Sequence, residues 1–229
     1  MDLGKQAARV GVLADPTRRA LYRYVCGRTE PVGRDEAASA AGATRATASF
    51  HLDRLVDEGL LEVEYRRLTG RTGPGAGRPS KLYRRTTEEV AVSLPPRRYD
   101  LMGAILAAGV DRARAGEPLD DALPAAAWAE GSELAGAAPV SPDLPGLAAL
   151  LEGLGFEATH EDDVVALANC PFDTLAQRHT ELVCTLNRSF VQGVVDGLGC
   201  ADARACLEPD PPACCVKVRR GRAEGSGKG

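Results

Sequence analysis

Along the first ninety residues, apolar positions recur at helical spacing between residues that start and stop helices. Asp15-Pro16 predicts a helix start, because the carboxylate can accept from first-turn amides and proline already has the φ of the first helical position. The segment TRRALYRYVCG then places Ala20, Leu21, Tyr24 and Val25 on one face, and Gly27 ends it. A short helix over about 33–41 follows, with Ala37, Ala38 and Ala41 inward and Gly42 as the turn. Thr44 caps a third helix, TRATASFHLDRLVDEGL, whose apolar residues Ala48, Leu52, Leu55 and Val56 are spaced i, i+4, i+7 and i+8. The period then changes to two: LEVEY alternates, with Leu61, Val63 and Tyr65 on one face, and SKLYRRT reads as its return strand.

Pro95-Pro96 breaks the chain after this hairpin. Helices are predicted over about 99–115, around Leu101, Ile105 and Leu106, and over about 120–137, which holds the only tryptophan, Trp128. Pro139, Pro142 and Pro145 mark a boundary, and Leu147–Leu154 reads as a short helix. FEAT and VVALA read as strands around the turn HEDD. A long helix over about 180–198 carries the stripe Leu182, Leu186, Phe190, Val194 and Leu198, and RACLE and CCVKV read as strands around PDPP. The whole predicts an α+β chain. A winged helix-turn-helix spans 1–92, a helical connector with a dimerising role 93–139, a small α/β cysteine-rich sensor 140–219 and a disordered tail 220–229.

Charge separates the halves. Residues 1–98 carry 18 Lys and Arg against 12 Asp and Glu, whereas residues 99–229 carry 10 against 20. Only the first half is suited to a polyanion. Between Tyr65 and Thr87 there are seven basic residues and no acidic one, with Arg71 and Arg78 in the glycine-rich loop. A basic hairpin directly after a helix-turn-helix reads as a wing, with the third helix entering the major groove of double-stranded DNA. The candidate contacts are Thr44, Arg45, Ser49, Phe50, His51 and Arg54 on that helix, and Arg71, Arg78 and Lys81 on the wing. Arg45 and Ser49 are placed to reach base edges, and Arg78 to enter a narrow minor groove. His51 is read as a phosphate or packing contact rather than a metal ligand. No run approaches the roughly 18 apolar residues of a membrane helix. The N-terminal stretch also lacks a signal-peptide pattern, so a cytoplasmic protein with no membrane partner is expected.

Six of the seven cysteines, Cys170 to Cys215, fall within 46 residues. No Cys-x-x-Cys knuckle occurs, which argues against a zinc ribbon or finger. Ligands on separate elements suit a cluster held in a pocket. If PDPP is the turn, Leu207 faces Cys214 and Cys206 faces Cys215. Strand alternation then sends Cys214 and Cys215 to opposite faces, so that only one of the two is a ligand. Cys26 reads as a small buried hydrophobe, and His160, in a polar turn, carries no role.

The stretches LADPTRRALYRYV, GATRATASFHLDRLVDEGLLEVEYRR and GRPSKLYRRT resemble the ArsR-like winged-helix repressors. The Gly-Arg-Pro-x-x-x-Tyr end of the wing and NCPFDTLAQRHTELVCTLN…CCV are similar to the SufR type, the iron–sulfur-sensing repressors. The resemblance implies a non-enzymatic, dimeric DNA-binding repressor with a 4Fe–4S cluster. It places ligands at Cys170, Cys184 and one of Cys214 and Cys215, and leaves the fourth open, with His179 and Cys206 as further candidates. Cys200 and Cys206 look like extras of this sequence. Competing readings keep the DNA-binding half but make the cysteines a zinc site, a thiol redox switch, or structural residues of a small-molecule sensor. A thiol enzyme built on Cys184 and His179 would need an activated nucleophile and a substrate pocket, and the basic wing argues against it.

Overall fold

The computed structural model describes residues 3–67 and 79–221. The chain divides into two compact units, Met1–Val92 and Ser93–Gly229.

The first unit begins with helix α1, Leu3–Gly11, and a 3₁₀ turn, Val12–Ala14. Helix α2, Pro16–Cys26, starts where Asp15 Oδ1 accepts from the Arg18 amide at 2.8 Å. A two-residue strand, β1 (Val32–Gly33), leads into α3, Arg34–Ala40. Gly42, at φ 63°, makes the turn to α4, Arg45–Asp57, a left-handed backbone that side-chain-bearing residues rarely adopt. Strands β2 (Leu61–Arg66) and β3 (Ser80–Arg85) follow, and β3 lies between β1 and β2 in an antiparallel sheet with Val63 opposite Tyr83. The core holds Leu21, Val25, Ala37, Ala48, Leu52, Leu55, Leu61 and Tyr83, all nearly inaccessible. Small alanines let α3 and α4 approach closely. Ala20, expected on the inner face of α2, is exposed.

Helix α1 has no counterpart in the predicted elements. Its Arg9 donates from Nε to the Glu58 carbonyl at 2.7 Å and from Nη2 to Glu88 at 2.7 Å. One guanidinium thereby ties the free carbonyl end of α4 to the segment after β3, a favourable site for a cation.

The second unit is built around α9, Thr180–Leu198. Helices α5 (Tyr99–Arg114), α6 (Leu119–Gly136) and α7 (Leu144–Gly153) precede a sheet of β4 (Ala158–Glu161), β5 (Val164–Leu167), β6 (Ala203–Leu207) and β7 (Val216–Arg220). The sheet order is β4-β5-β7-β6 and every pair is antiparallel. A one-turn helix, α8 (Asp173–Ala176), lies between β5 and α9. The segment 93–139, read as a separate connector, lies inside this unit. Backbones of α6 and α9 meet at glycines: a methyl on Gly131 would run into the Phe190 carbonyl, and one on Gly193 into the Trp128 carbonyl. The buried stripe of α9 is Val183, Leu186, Phe190, Val191, Val194 and Val195. Leu182, expected in that stripe, is instead 43% exposed, because Val183 takes the inward position.

The β6–β7 hairpin also departs from the predicted register. Leu207 pairs with Val216 and Cys206 with Lys217, because the connection runs from 208 to 215 rather than through PDPP alone. The tail is outside the described residues from 222 onward, and β7 reaches Arg220.

Candidate DNA-binding surface and cysteine group

In the first unit α3, the Gly42 turn and α4 form a helix-turn-helix, and β2 and β3 form the base of the wing. Thr44 caps α4 through Oγ1, which accepts from the Thr47 amide at 3.2 Å. The first turn of α4 presents Arg45, Ala46 and Thr47 to solvent. Arg45 is held by Asp35 of α3 at 2.9 Å, so its guanidinium is oriented before any ligand arrives. Ser49, half-buried, faces Arg34, whose Nη1 donates to Oγ at 3.4 Å. Phe50 is 65% exposed. Arg54 is exposed and paired with Glu58 at 2.6 Å.

His51 does not belong to the exposed face. It is buried, its Nδ1 accepts from Arg18 Nε at 3.1 Å, and Phe50 meets it edge-on. Its role in this structure is packing between α2 and α4. Lys81 is engaged within the unit: its Nζ donates to Asp53 Oδ1 at 2.6 Å, and the hydroxyl of buried Tyr83 donates to the same oxygen at 2.9 Å. Burial pulls the Asp53 carboxyl up, but the bonds from Lys81 and Tyr83 outweigh it and hold Asp53 below the usual carboxylate range. Burial and the Asp53 bond push the Tyr83 phenol up. These three groups fasten the third strand to the recognition helix. Arg71 and Arg78 lie outside the described residues. Arg34 went unnoticed in the sequence, where a basic residue at the start of a short alanine-rich helix gives no pattern.

In the second unit four thiols come together. Cys170 follows β5, and its carbonyl accepts from the Asp173 amide at 3.1 Å. Cys184 lies on the second turn of α9. Cys214 donates its amide to the Leu167 carbonyl at 3.0 Å, beside the exit of β5, and the Cys215 carbonyl accepts from Glu208 at 2.7 Å. The thiols lie close enough to perturb one another: Cys170 with Cys214, Cys214 with Cys215, Cys215 with Cys184, and Cys184 with Cys170 and Cys214. Cys214 and Cys215 lie just before β7, and burial still alternates through them: Cys214 is buried like Val216 and Val218, and Cys215 is half-buried like Lys217. The neighbouring Cys214 thiol, and then burial, push the Cys170 thiol up. Cys170 pulls Cys214 down, but Cys215 and burial together push it up to about 11. Burial raises Cys184 against the opposing effect of Cys215.

Asn187, one turn beyond Cys184, is fully buried and donates from Nδ2 to Cys214 Sγ at 3.2 Å. Sequence reading missed it, although an amide inside the apolar stripe of α9 was a visible break in the pattern. The other candidates lie elsewhere. His179 is exposed at the N-cap of α9 without a side-chain cap bond. Cys206 Sγ faces the Arg204 carbonyl at 3.8 Å. Cys200 is buried at the other end of α9, beside Asp143 and Asp202. Among the described residues, no group of three or more His, Cys, Asp or Glu is arranged to hold a single metal ion. No helix among them is long and apolar enough to cross a membrane.

Residues 13–64, from the 3₁₀ turn through most of β2, match the family model described as a helix-turn-helix domain. No curated protein and no solved structure matches the chain. The match supports a DNA-binding transcriptional regulator of the winged-helix type, and it covers the turn, cap and recognition helix just described.

Proposed function

We propose that the chain is a transcriptional repressor of the ArsR-like, SufR type, which binds operator DNA as a homodimer and carries a 4Fe–4S cluster in its second unit. The observation that carries this reading is the grouping of Cys170, Cys184, Cys214 and Cys215, contributed by a loop, a helix and a hairpin. Four thiols from separate elements suit a polynuclear cluster, in which each thiolate meets a different iron, whereas zinc needs all four sulfurs about 2.3 Å from one point, and no such group occurs among the described residues. A cluster supplies a redox-labile centre whose loss alters the second unit. The chain's own residues hold it: buried Phe172 and the apolar face of α9 exclude water, and Pro171 withholds an amide beside Cys170. Operator affinity would then depend on the cluster's state, a coupling between two sites.

Anaerobic purification tests this. Brown protein with stoichiometric iron and acid-labile sulfide is expected, with operator affinity that changes when the cluster is lost. Colourless protein holding one zinc per chain would replace the reading with a zinc site. The thiol contacts between Cys170 and Cys214 and between Cys184 and Cys215 favour a second reading, a thiol redox switch. Colourless, metal-free protein whose operator affinity changes on mild oxidation would support that one.

A further inference from the structure

The two buried asparagines of the second unit differ in how they are used. Asn169 has a full set of partners: Oδ1 accepts from Arg97 at 2.6 Å, and Nδ2 donates to the carbonyls of Pro96 and Gly155 at 3.0 and 2.6 Å. It is a structural bracket. Asn187 sits among Val183, Leu186, Phe190 and Val191, is wholly inaccessible, and has one bond, Nδ2 to Cys214 Sγ. Its Oδ1 is buried with no partner. A leucine would continue the stripe without leaving an orphaned acceptor, so packing gives no reason for an amide there.

The sulfur it meets supplies a reason. A neutral thiol is a weak acceptor, and a bond to it gives little return for burying an amide. A thiolate bound to iron carries charge, and an N–H bond to it is charge-assisted. We infer that Asn187 is the hydrogen-bond donor that tunes the sensor, holding Cys214 as a coordinated thiolate and raising the reduction potential of the cluster. Asn187 is thus a positioning residue, one turn from Cys184 on the same helix, which adjusts the metal centre without binding it. Hydrogen bonds to ligand sulfurs are among the means by which proteins set such potentials, because they stabilise the more negative, reduced form. The inference rests on the iron–sulfur reading of the four cysteines.

The test compares Asn187→Leu and Asn187→Ala in the full chain. Both lack the donor, but leucine fills the space and alanine leaves a cavity. Both variants should load iron and sulfide like the parent and show a lower midpoint potential. The expected fall is at least 59 mV for a one-electron couple, a tenfold rise in the oxidised-to-reduced ratio at a fixed ambient potential. In the cluster-free chain Asn187→Leu should resist urea at least as well as the parent and Asn187→Ala less well, with Trp128 fluorescence as the probe. Potential and stability then move independently, as a donor role requires. A potential that falls only in the alanine variant would reduce Asn187 to a packing residue, and an unchanged potential in both would overturn the inference. If the leucine variant does not load, Asn187→Val takes its place with the same expectations. A parent chain that holds no iron and sulfide would sink the underlying reading, which is distinct from a loaded parent whose potential is insensitive to residue 187.

Discussion

The two units handle polar groups in opposite ways. In the first, charged side chains sit at the surface and are matched in pairs: Arg45 with Asp35, Arg54 with Glu58, Lys81 with Asp53, and Arg9 with Glu88. Such pairs contribute little to stability, but they fix the direction of each guanidinium and ammonium. In the second, the functional groups are thiols and one amide set against the core: Cys214 and Asn187 are buried, and Cys170, Cys184 and Cys215 are half-buried. A surface meant for a polyanion needs oriented charge that remains wet. The cluster proposed for the second unit would need soft ligands with restricted access for water. The spectroscopic probes divide nearly along the same line. Four of the five tyrosines, Tyr22, Tyr24, Tyr65 and Tyr83, belong to the first unit, and Tyr99 and Trp128, the only tryptophan, to the second.

The largest way to break the comparison is to remove a thiol. Cys170→Ser or Cys184→Ser should leave iron and sulfide at background, a complete loss, while the tyrosine signal of the first unit stays unchanged. Cys200→Ala and Cys206→Ala should keep most of the cluster, because neither sulfur is in contact with the group of four. Iron and sulfide analysis of the four variants, purified without oxygen, decides it. Full loading in both serine variants would remove the site from this part of the molecule.

Next in size is a change that touches no functional group. Gly193→Ala places a methyl against the Trp128 carbonyl, where two helix backbones are already in contact. Overpacking of this kind costs about 1–3 kcal/mol, and the upper end is expected because a backbone cannot swing aside as a side chain can. Urea unfolding followed by Trp128 should show the loss, and tyrosine absorbance, measured in a Tyr99→Phe background, should not. Equal losses in both probes would mean that the units unfold as one.

Much of this contrast is legible in the sequence, and unevenly so. α2, α4 and the wing strands could be read because each has a local signal: Asp15-Pro16, the Thr44 cap, the shift from helical spacing to alternation. α1 escaped because what holds it, Arg9 against the carbonyl of Glu58, is 49 residues away and has no periodic trace. The cysteine group was visible as a cluster of sulfur, but its wiring was not. The predicted hairpin register placed Cys206 opposite Cys215. The longer turn instead sets Cys206 opposite Lys217 and leaves Cys215 outside the strand. His51 and Leu182 show the same limit from the other side: helical phase locates a face to within a residue, and the neighbouring element decides which residue turns inward.

A smaller effect is expected from the DNA surface itself. Arg45→Ala should cost about 1–3 kcal/mol in operator binding and relax preference at one or two base pairs, if Arg45 reads a base edge. Asp35→Asn releases the same guanidinium from its partner and should change affinity by less, with a steeper dependence on salt. Binding to operator variants at two salt concentrations separates the two. A loss from Arg45→Ala that is equal for every sequence would make Arg45 a phosphate contact.

The smallest effect concerns how the third strand is fastened to the recognition helix. Asp53→Asn keeps an oxygen for the Tyr83 hydroxyl but removes the charge that holds Lys81. Both side chains of that pair are partly exposed, at 46% and 37%, so the Coulomb contribution is screened and the cost at neutral pH should stay below about 1 kcal/mol. The pH dependence carries more information than the size. The folded state holds the Asp53 carboxyl below its ordinary range, so its contribution is present at pH values above that range. It is lost as the pH falls through the lowered value. The first unit should therefore lose stability on acidification more steeply in the parent than in Asp53→Asn, with the two curves meeting in strong acid. Tyrosine absorbance during urea unfolding in a Tyr99→Phe background, at a series of pH values from neutral downward, gives both curves. Parallel curves would show that Lys81 and Asp53 are neighbours without consequence. Convergence would show that the ion pair secures the strand, and that freeing Lys81 for phosphate carries a small, measurable cost in fold stability.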